Sequence, residues 1–370
     1  MLHERAAACV SLRRMRARPA ALAAAAAVAA LSLAPVCAAP PARAVALPRT
    51  QLAALPAHAI ANGTEPLAVT LSAAVAPGSP VPMLLPKVAG KWSVSGDSYV
   101  FTPASTLAPC SSYTLTVWSL TAAAGHSPLG RRRTLPLRVA CPPTAGLQQA
   151  LARLGYLGAT LRPLYDVHYA PGRESRREAA EHAFHPPRGR LAPKPAAAPP
   201  VRMGELDATT RGALEVFQED NGLSPSGQVE SATWSKLLFD VTVDKRDRQP
   251  YTWVTVSESL PETLWLHRGR RTVISTPVNT GVPGAETERG IFAIYARYVS
   301  TTMSGEDPDG TKYDVPDVPW VNYFNGGDAV HGYPRASYGF PQSNGCVELP
   351  IETARNVFGL LAIGDVVWVQ

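Results

Sequence analysis

Between Arg162 and Arg202 the chain reads RPLYDVHYAPGRESRREAAEHAFHPPRGRLAPKPAAAPPVR, and no hydrophobic period survives across it. A stretch so rich in proline, alanine and arginine, with eight basic and four acidic residues, is unsuited to a packed core. It reads as a disordered or loosely ordered insertion near residues 163–203, so the 370 residues cannot form one continuous domain. Its basic excess allows weak contact with anionic polymers, although a solvated loop is the simpler reading. His168, His182 and His185 fall inside it. The last two are spaced to share a helix face, but no cysteine or carboxylate stands at ligand spacing, so no metal site is expected.

The flanks differ from the insertion and from each other. Residues 47–142 carry short runs rich in Val, Thr, Tyr and Phe, such as SYVFTPAST, SSYTLTVWSL and RRTLPLRVA, punctuated by Gly, Pro and Ser. This predicts an all-β, immunoglobulin-like sandwich with no cluster of chemically active residues. Residues 143–240 switch to helical spacing. Leu147, Leu151 and Leu154 share one face, as do Ala213, Leu214 and Phe217 behind an Asp207 cap, and Trp234, Leu237 and Leu238 behind a Ser231 cap. A small three-helix bundle interrupted by the insertion is expected. From 250 to 370 strand-like runs return (YTWVTV, TLWLHRGRRTVIS, GIFAIYARYVS, VVWV), with hairpin turns at Arg268-Gly269 and Gly364-Asp365 and one helix in IETARNVFGLL.

Arg13, Arg14, Arg16 and Arg18, an alanine-leucine run and then small residues make residues 1–46 look like a secretory signal peptide, cleaved after Ala39 or Ala46. The alanine-rich run is too weakly apolar for an anchor, and Cys37 lacks the small residues that lipidation requires before it. Those 46 residues hold six Arg and one Glu, a charge of +5 out of the chain's +6. The remainder is nearly neutral, which sets nucleic-acid binding aside. Without Cys9 and Cys37, three cysteines remain. One bridge, Cys110 to Cys141, and one free thiol, Cys346, is the natural division in an exported protein.

Cys346 sits in PQSNGCVELP, and His331 lies fifteen residues upstream in AVHGYP. A thiol becomes a nucleophile as thiolate, and a nearby imidazolium lowers its pKa. Gly345 permits close backbone approach, and the Cys346 amide is placed to donate to an oxyanion. A core thiol beside a strand-capping histidine is the plain alternative. It does not explain why a Gly-rich loop holds the only unpaired cysteine.

HGYPRASYGFPQSNGCVELP resembles the signature of the L,D-transpeptidases, with similarity extending over residues 250–370 through NTGVPGAETERGIFAIY and VPWVNYFNGGDAVHG. ALEVFQEDNGL and ATWSKLL are similar to the helical peptidoglycan-binding domain of bacterial wall enzymes. The first resemblance implies a β-rich domain in which Cys346 attacks the third residue of a donor stem peptide. His331 serves as base and then acid, oriented by the Gly332 carbonyl. It further implies release of D-alanine, a 3→3 cross-link, carbapenem sensitivity and no cofactor. Ser343, Asn344, Gly345 and the Cys346 amide occupy matching oxyanion and loop positions, and Tyr313 or Tyr323 is the aromatic donor. The sequence departs from the pattern at three places: Asn344 replaces a histidine, Glu348 replaces an arginine and could itself pair with Arg335, and TERG replaces Thr-Pro-x-Gly. Arg335 and Glu348 are therefore expected at the substrate contact.

Several other features resolve without chemistry. Trp253, Trp265 and Trp368 alternate with aliphatic residues as core or sheet-face positions, and Glu306 to Gly310 lacks calcium-loop spacing and reads as a solvated lid. Peptidoglycan stems and glycan are the expected partners of a monomeric, wall-associated protein. Three alternatives stay open: a carboxypeptidase using the same thioester, a non-catalytic wall-binding protein with a decayed site, and a sortase-like enzyme, which should lack the helical module.

Overall fold

The computed structural model describes residues 46–60, 63, 66–162, 190–193 and 198–370. The expected signal segment, apart from Ala46, and the three histidines of the insertion lie outside these residues. No helix among the described residues is long and apolar enough to cross a membrane.

Eight strands open the described chain: β1 (Leu52–Ala54), β2 (Ala59–Ile60), β3 (Leu67–Leu71), β4 (Met83–Leu85), β5 (Gly90–Ser95), β6 (Ser98–Pro103), β7 (Ser112–Val117) and β8 (Arg133–Val139). They form two sheets, ordered β1-β3-β6-β5 and β2-β8-β7-β4. Strict alternation explains the layering: Leu67, Val69 and Leu71 of β3 and Leu135, Leu137 and Val139 of β8 are buried in one core with Tyr99, Phe101 and Leu115. A disulfide joins Cys110, ahead of β7, to Cys141, just past β8.

The helical segment follows. Helix α1 (Thr144–Leu154) ends at Gly155 in the left-handed conformation, then β9 (Ala159–Arg162) pairs antiparallel with β10 (Arg190–Pro193). Helices α2 (Ala208–Asp220) and α3 (Ser231–Thr242) complete the unit. Leu147, Leu151, Leu154, Ala213, Leu214, Phe217, Trp234, Leu237 and Leu238 share one core. Asp207 caps α2 by accepting from the Thr210 N–H at 2.8 Å. Ser231 does not cap α3: it is the first helical residue, and Glu230 stands at the cap without a side-chain bond.

Part of the expected insertion lies within the described residues. Within it, β10 pairs with β9 just ahead of it, and residues 202–205 are stitched to α1 by buried Gln148, which donates to the Arg202 and Glu205 carbonyls and accepts from the Gly204 N–H.

From Thr252 the chain builds two facing sheets. The first contains β11 (Thr252–Ser257), β12 (Thr263–Arg268), β13 (Arg271–Pro277), β14 (Gly290–Ala293) and β19 (Val366–Val369), in the order β13-β12-β11-β19-β14. The second, in chain order, comprises β15 (Ala296–Glu306), β16 (Lys312–Asn325), β17 (Asp328–Gly332) and β18 (Val347–Leu349). Helix α4 (Ile351–Leu360) follows β18 and packs Ala354 and Val357 into the common core. The β12–β13 turn falls on Gly269-Arg270, one residue later than expected. Ile363-Gly364 turns from α4 into β19, so no hairpin forms there. Trp253 stacks on Tyr251 and His267, on the opposite side of β11 from the buried Val254 and Val256.

Candidate active site

The site is set by the parallel pairing of β17 and β18, which aligns Val330 with Val347, His331 with Glu348 and Gly332 with Leu349. Val330, Val347 and Leu349 face the core. The two-residue period of a strand then sends His331 and Glu348, and by continuation Cys346, to the other face. There they line a cavity of about 600 Å³ with Tyr313, Tyr333 and Met303.

His331 is 4% exposed, and its Nδ1 lies 3.0 Å from the Gly332 carbonyl oxygen. A carbonyl only accepts, so Nδ1 carries the proton and Nε2 holds the free lone pair. Burial holds the imidazole below its usual value of 6.5, against the opposing pull of the Gly332 carbonyl and Glu348. Cys346 is half-buried, with Sγ 3.8 Å from the Gly327 carbonyl oxygen. Burial pushes its thiol up to about 12, with Asp328 and Glu348 adding repulsion and the Ala329 N–H alone pulling down. Enclosure thus works against the charged form of both groups, the thiolate of Cys346 and the imidazolium of His331.

Gly345 has φ 101°, and a Cβ there would overlap the Asp328 carboxylate. Both constraints favour glycine. Ser343 donates to the Cys346 carbonyl at 2.5 Å, so its hydroxyl holds the loop rather than waiting for a ligand. Asn344 donates to Asp307 at the tip of the β15–β16 hairpin, which ties the cysteine loop to the lid. Arg335 and Glu348, expected at the substrate, grip each other in a two-point ion pair at 2.7 and 2.8 Å. Arg335 also donates to the Gln342 carbonyl and stacks over Tyr333.

The two tyrosines separate. Both lie within electrostatic range of Cys346, but of the two only Tyr313 lines the cavity. Tyr323 stacks on Tyr295 and meets Tyr298 edge-on. Burial raises both above the ordinary phenol value, so both remain hydrogen-bond donors.

Sequence reasoning passed over three residues. Asp328, held up to about 6 mainly by burial, stands beside Gly345. It was visible only as the first residue of DAVHG. Asp307 anchors Asn344 from 37 residues away. Thr287, noticed only as part of TERG, donates to the Gly345 carbonyl at 2.8 Å. Among the described residues no cluster of histidine, cysteine and carboxylates has the arrangement to hold a metal ion.

Two family models match the chain: the L,D-transpeptidase catalytic domain over residues 251–369 and the peptidoglycan binding domain over residues 195–237. Among solved structures, the catalytic domain of the Enterococcus faecium L,D-transpeptidase is 23% identical, covering 34% of this chain and 100% of that one, with a TM-score of 0.30. An L,D-transpeptidase from Mycobacterium smegmatis is 13% identical over 88% of this chain and 99% of its own, with a TM-score of 0.29. L,D-transpeptidase 3 from Mycobacterium tuberculosis, in complex with a faropenem-derived adduct, is 14% identical over 86% and 97%, with a TM-score of 0.30. Likeness at this level carries no fold argument by itself. No curated protein matches the chain. The first family match contains Cys346, His331 and the whole cavity, and the second contains both α2 and most of α3, so the chain carries an L,D-transpeptidase catalytic domain and a peptidoglycan binding domain.

Proposed function

We propose that this chain is an exported, wall-associated L,D-transpeptidase that forms 3→3 cross-links between peptidoglycan stems. The observation that carries the reading is that His331 of β17 and Cys346, the residue entering the adjacent parallel strand β18, line one cavity. The Gly332 carbonyl leaves His331 Nε2 available as base.

In the proposed reaction Cys346 Sγ attacks the carbonyl of the third residue of a donor stem, a diaminopimelate, while His331 Nε2 takes the thiol proton. The Cys346 N–H and the Tyr313 hydroxyl stabilise the oxyanion. The C–N bond breaks, His331 returns the proton to the departing D-alanine amine, and a thioester remains. An acceptor-stem amine attacks that thioester, His331 takes its proton, and the C–S bond breaks to restore the thiol. Burial favours the neutral form of both groups, so in this reading charge arises as the bond forms. Arg335 and Glu348 shape the donor end of the cavity as a pair.

The ABED-like order β1-β3-β6-β5, facing β2-β8-β7-β4, supports reading residues 47–142 as an immunoglobulin-like spacer. The helical module at 143–240 brings the catalytic domain to the glycan.

Intact-mass spectrometry after exposure to a carbapenem tests the reading, with Cys346→Ala beside the parent. A single adduct on the parent and none on the variant is expected, and muropeptide analysis should then show new cross-links. Trimmed stems without cross-links would instead identify a carboxypeptidase. No adduct on the folded, reduced parent would overturn the acyl-transfer reading.

A further inference from the structure

The peptide joining Gly345 to Cys346 has two ends that matter. Being planar and trans, it points its C=O and its N–H in opposite directions, so whatever fixes one fixes the other. Thr287 fixes the carbonyl. Its hydroxyl donates to the Gly345 oxygen at 2.8 Å and accepts from the Gly281 N–H at 3.0 Å, which leaves the rotor no freedom. Thr287 is 2% exposed, so the carbonyl is held by a buried side chain and the opposed Cys346 N–H turns away from Thr287.

The anchor behind Thr287 is itself built. A Cβ on Gly281 would overlap the Ala285 carbonyl and the Thr287 amide, and Gly281 is bridged in parallel to Ser343. The neighbouring Thr280 is gripped twice by the buried Glu262 carboxylate, at 2.7 Å through its N–H and at 2.6 Å through its hydroxyl. The Thr280 carbonyl in turn accepts from the Gln342 and Ser343 N–H groups. On the far side of the cysteine, Ser343 holds the Cys346 carbonyl. Both carbonyls flanking the nucleophile are thus clamped by hydroxyls, one from its own loop and one from a strand connection 58 residues earlier.

We infer that Thr287 is a positioning residue for acyl transfer: through the Gly345 carbonyl it aims the Cys346 N–H at the oxyanion. The inference rests on the reading of Cys346 as the acylated nucleophile. A hydroxyl that merely supported the loop would affect every reaction of the thiol equally. One that aims an oxyanion donor affects only reactions passing through a tetrahedral oxyanion. Carbapenem acylation passes through one; alkylation by iodoacetamide does not.

The test is Thr287→Val and Thr287→Ser in the parent protein, each assayed with both reagents. The valine variant should lower the maximal carbapenem acylation rate on the order of 10- to 100-fold, with little change in the half-saturating concentration. Its alkylation rate should stay near the parent's. Serine keeps the hydroxyl and should restore most of the acylation. If the valine variant fails to fold, Thr287→Ala puts the same question with less crowding. Parental acylation in the valine or alanine variant overturns the inference and leaves the transpeptidase reading intact. So does an equal fall in both reactions, or a serine variant no better than valine. A parent that takes no carbapenem while its thiol still alkylates overturns the transpeptidase reading itself.

Discussion

At the scale of single residues, enclosure decides the chemistry. Cys346 and His331 line the same cavity, yet burial pushes the thiol up to about 12 and holds the imidazole below 6.5, which works against a stored ion pair. A preformed thiolate would react with an alkylating reagent at a rate nearly independent of pH across neutrality. The geometry calls for the opposite. Alkylation of Cys346 should be slow near neutral pH and still be climbing at about pH 10, past the usual thiol value of about 8.5. Carbapenem acylation should reach its plateau much earlier, because it needs only neutral His331, and its acid limb should lie below about pH 6.5. Rates followed by intact mass over that range test both statements. A flat alkylation profile between about pH 6 and pH 9 would return the site to the ion-pair model.

At the scale of elements, the β15–β16 hairpin was the least legible part of the domain, for a physical reason. Strands β3 and β8 announce themselves because one face of each is buried, and the three helices because apolar residues recur every three or four positions. The outer half of the hairpin, from Val299 to Pro316, leaves most residues on both faces exposed or half-exposed. No alternation is written into STTMSGEDPDGTKYDVP, so only the stretch from Glu306 to Gly310 was readable, as a lid loop. The nucleophile and its histidine were legible from local motifs. Thr287, Asp307 and Asp328 were not, because each acts across the fold on a loop distant from it. The bond from Asn344 to Asp307 turns the hairpin into a restrained lid. Asn344→Ala should release it, speeding amide exchange over residues 303–315. Acylation efficiency should fall by about 10-fold through poorer closure over the donor, with thermal stability almost unchanged. Hydrogen-exchange mass spectrometry checks the first effect. Unchanged exchange would mean that the hairpin is held by its own ladder.

At the scale of the whole molecule, the helical module does not hang free of the catalytic sheets. Helix α2 lies against β14 and β19, and the approach is so close that a Cβ on Gly212 would overlap the Gly364 carbonyl, with the reverse also true. Next in the chain is Asp365, 8% exposed, accepting from the Ala362 N–H at 2.8 Å. Burial pushes it up to about 8, against the pull of Arg297 and Arg268 and with added repulsion from Asp247. Within α2, burial lifts Glu215 to about 7 despite Arg211. Such carboxyls stay protonated in the folded chain while the unfolded chain releases the proton, so their contribution is lost as pH rises toward the folded value. His331 works in the other direction, withdrawing stability as pH falls below about 6.5, the value it regains on unfolding. Between about pH 6.5 and pH 8 the histidine is silent and the carboxyls act alone. The melting temperature of residues 47–370 should therefore fall across that window by roughly 5 °C. Asp365→Asn keeps an acceptor for the Ala362 N–H but has no proton to lose, and should remove most of the slope. Scanning calorimetry at the two ends of the window checks this. Equal slopes in parent and variant would mean that the Asp365 carboxylate is already ionised where the module meets the sheets, with Arg297 and Arg268 outweighing its burial.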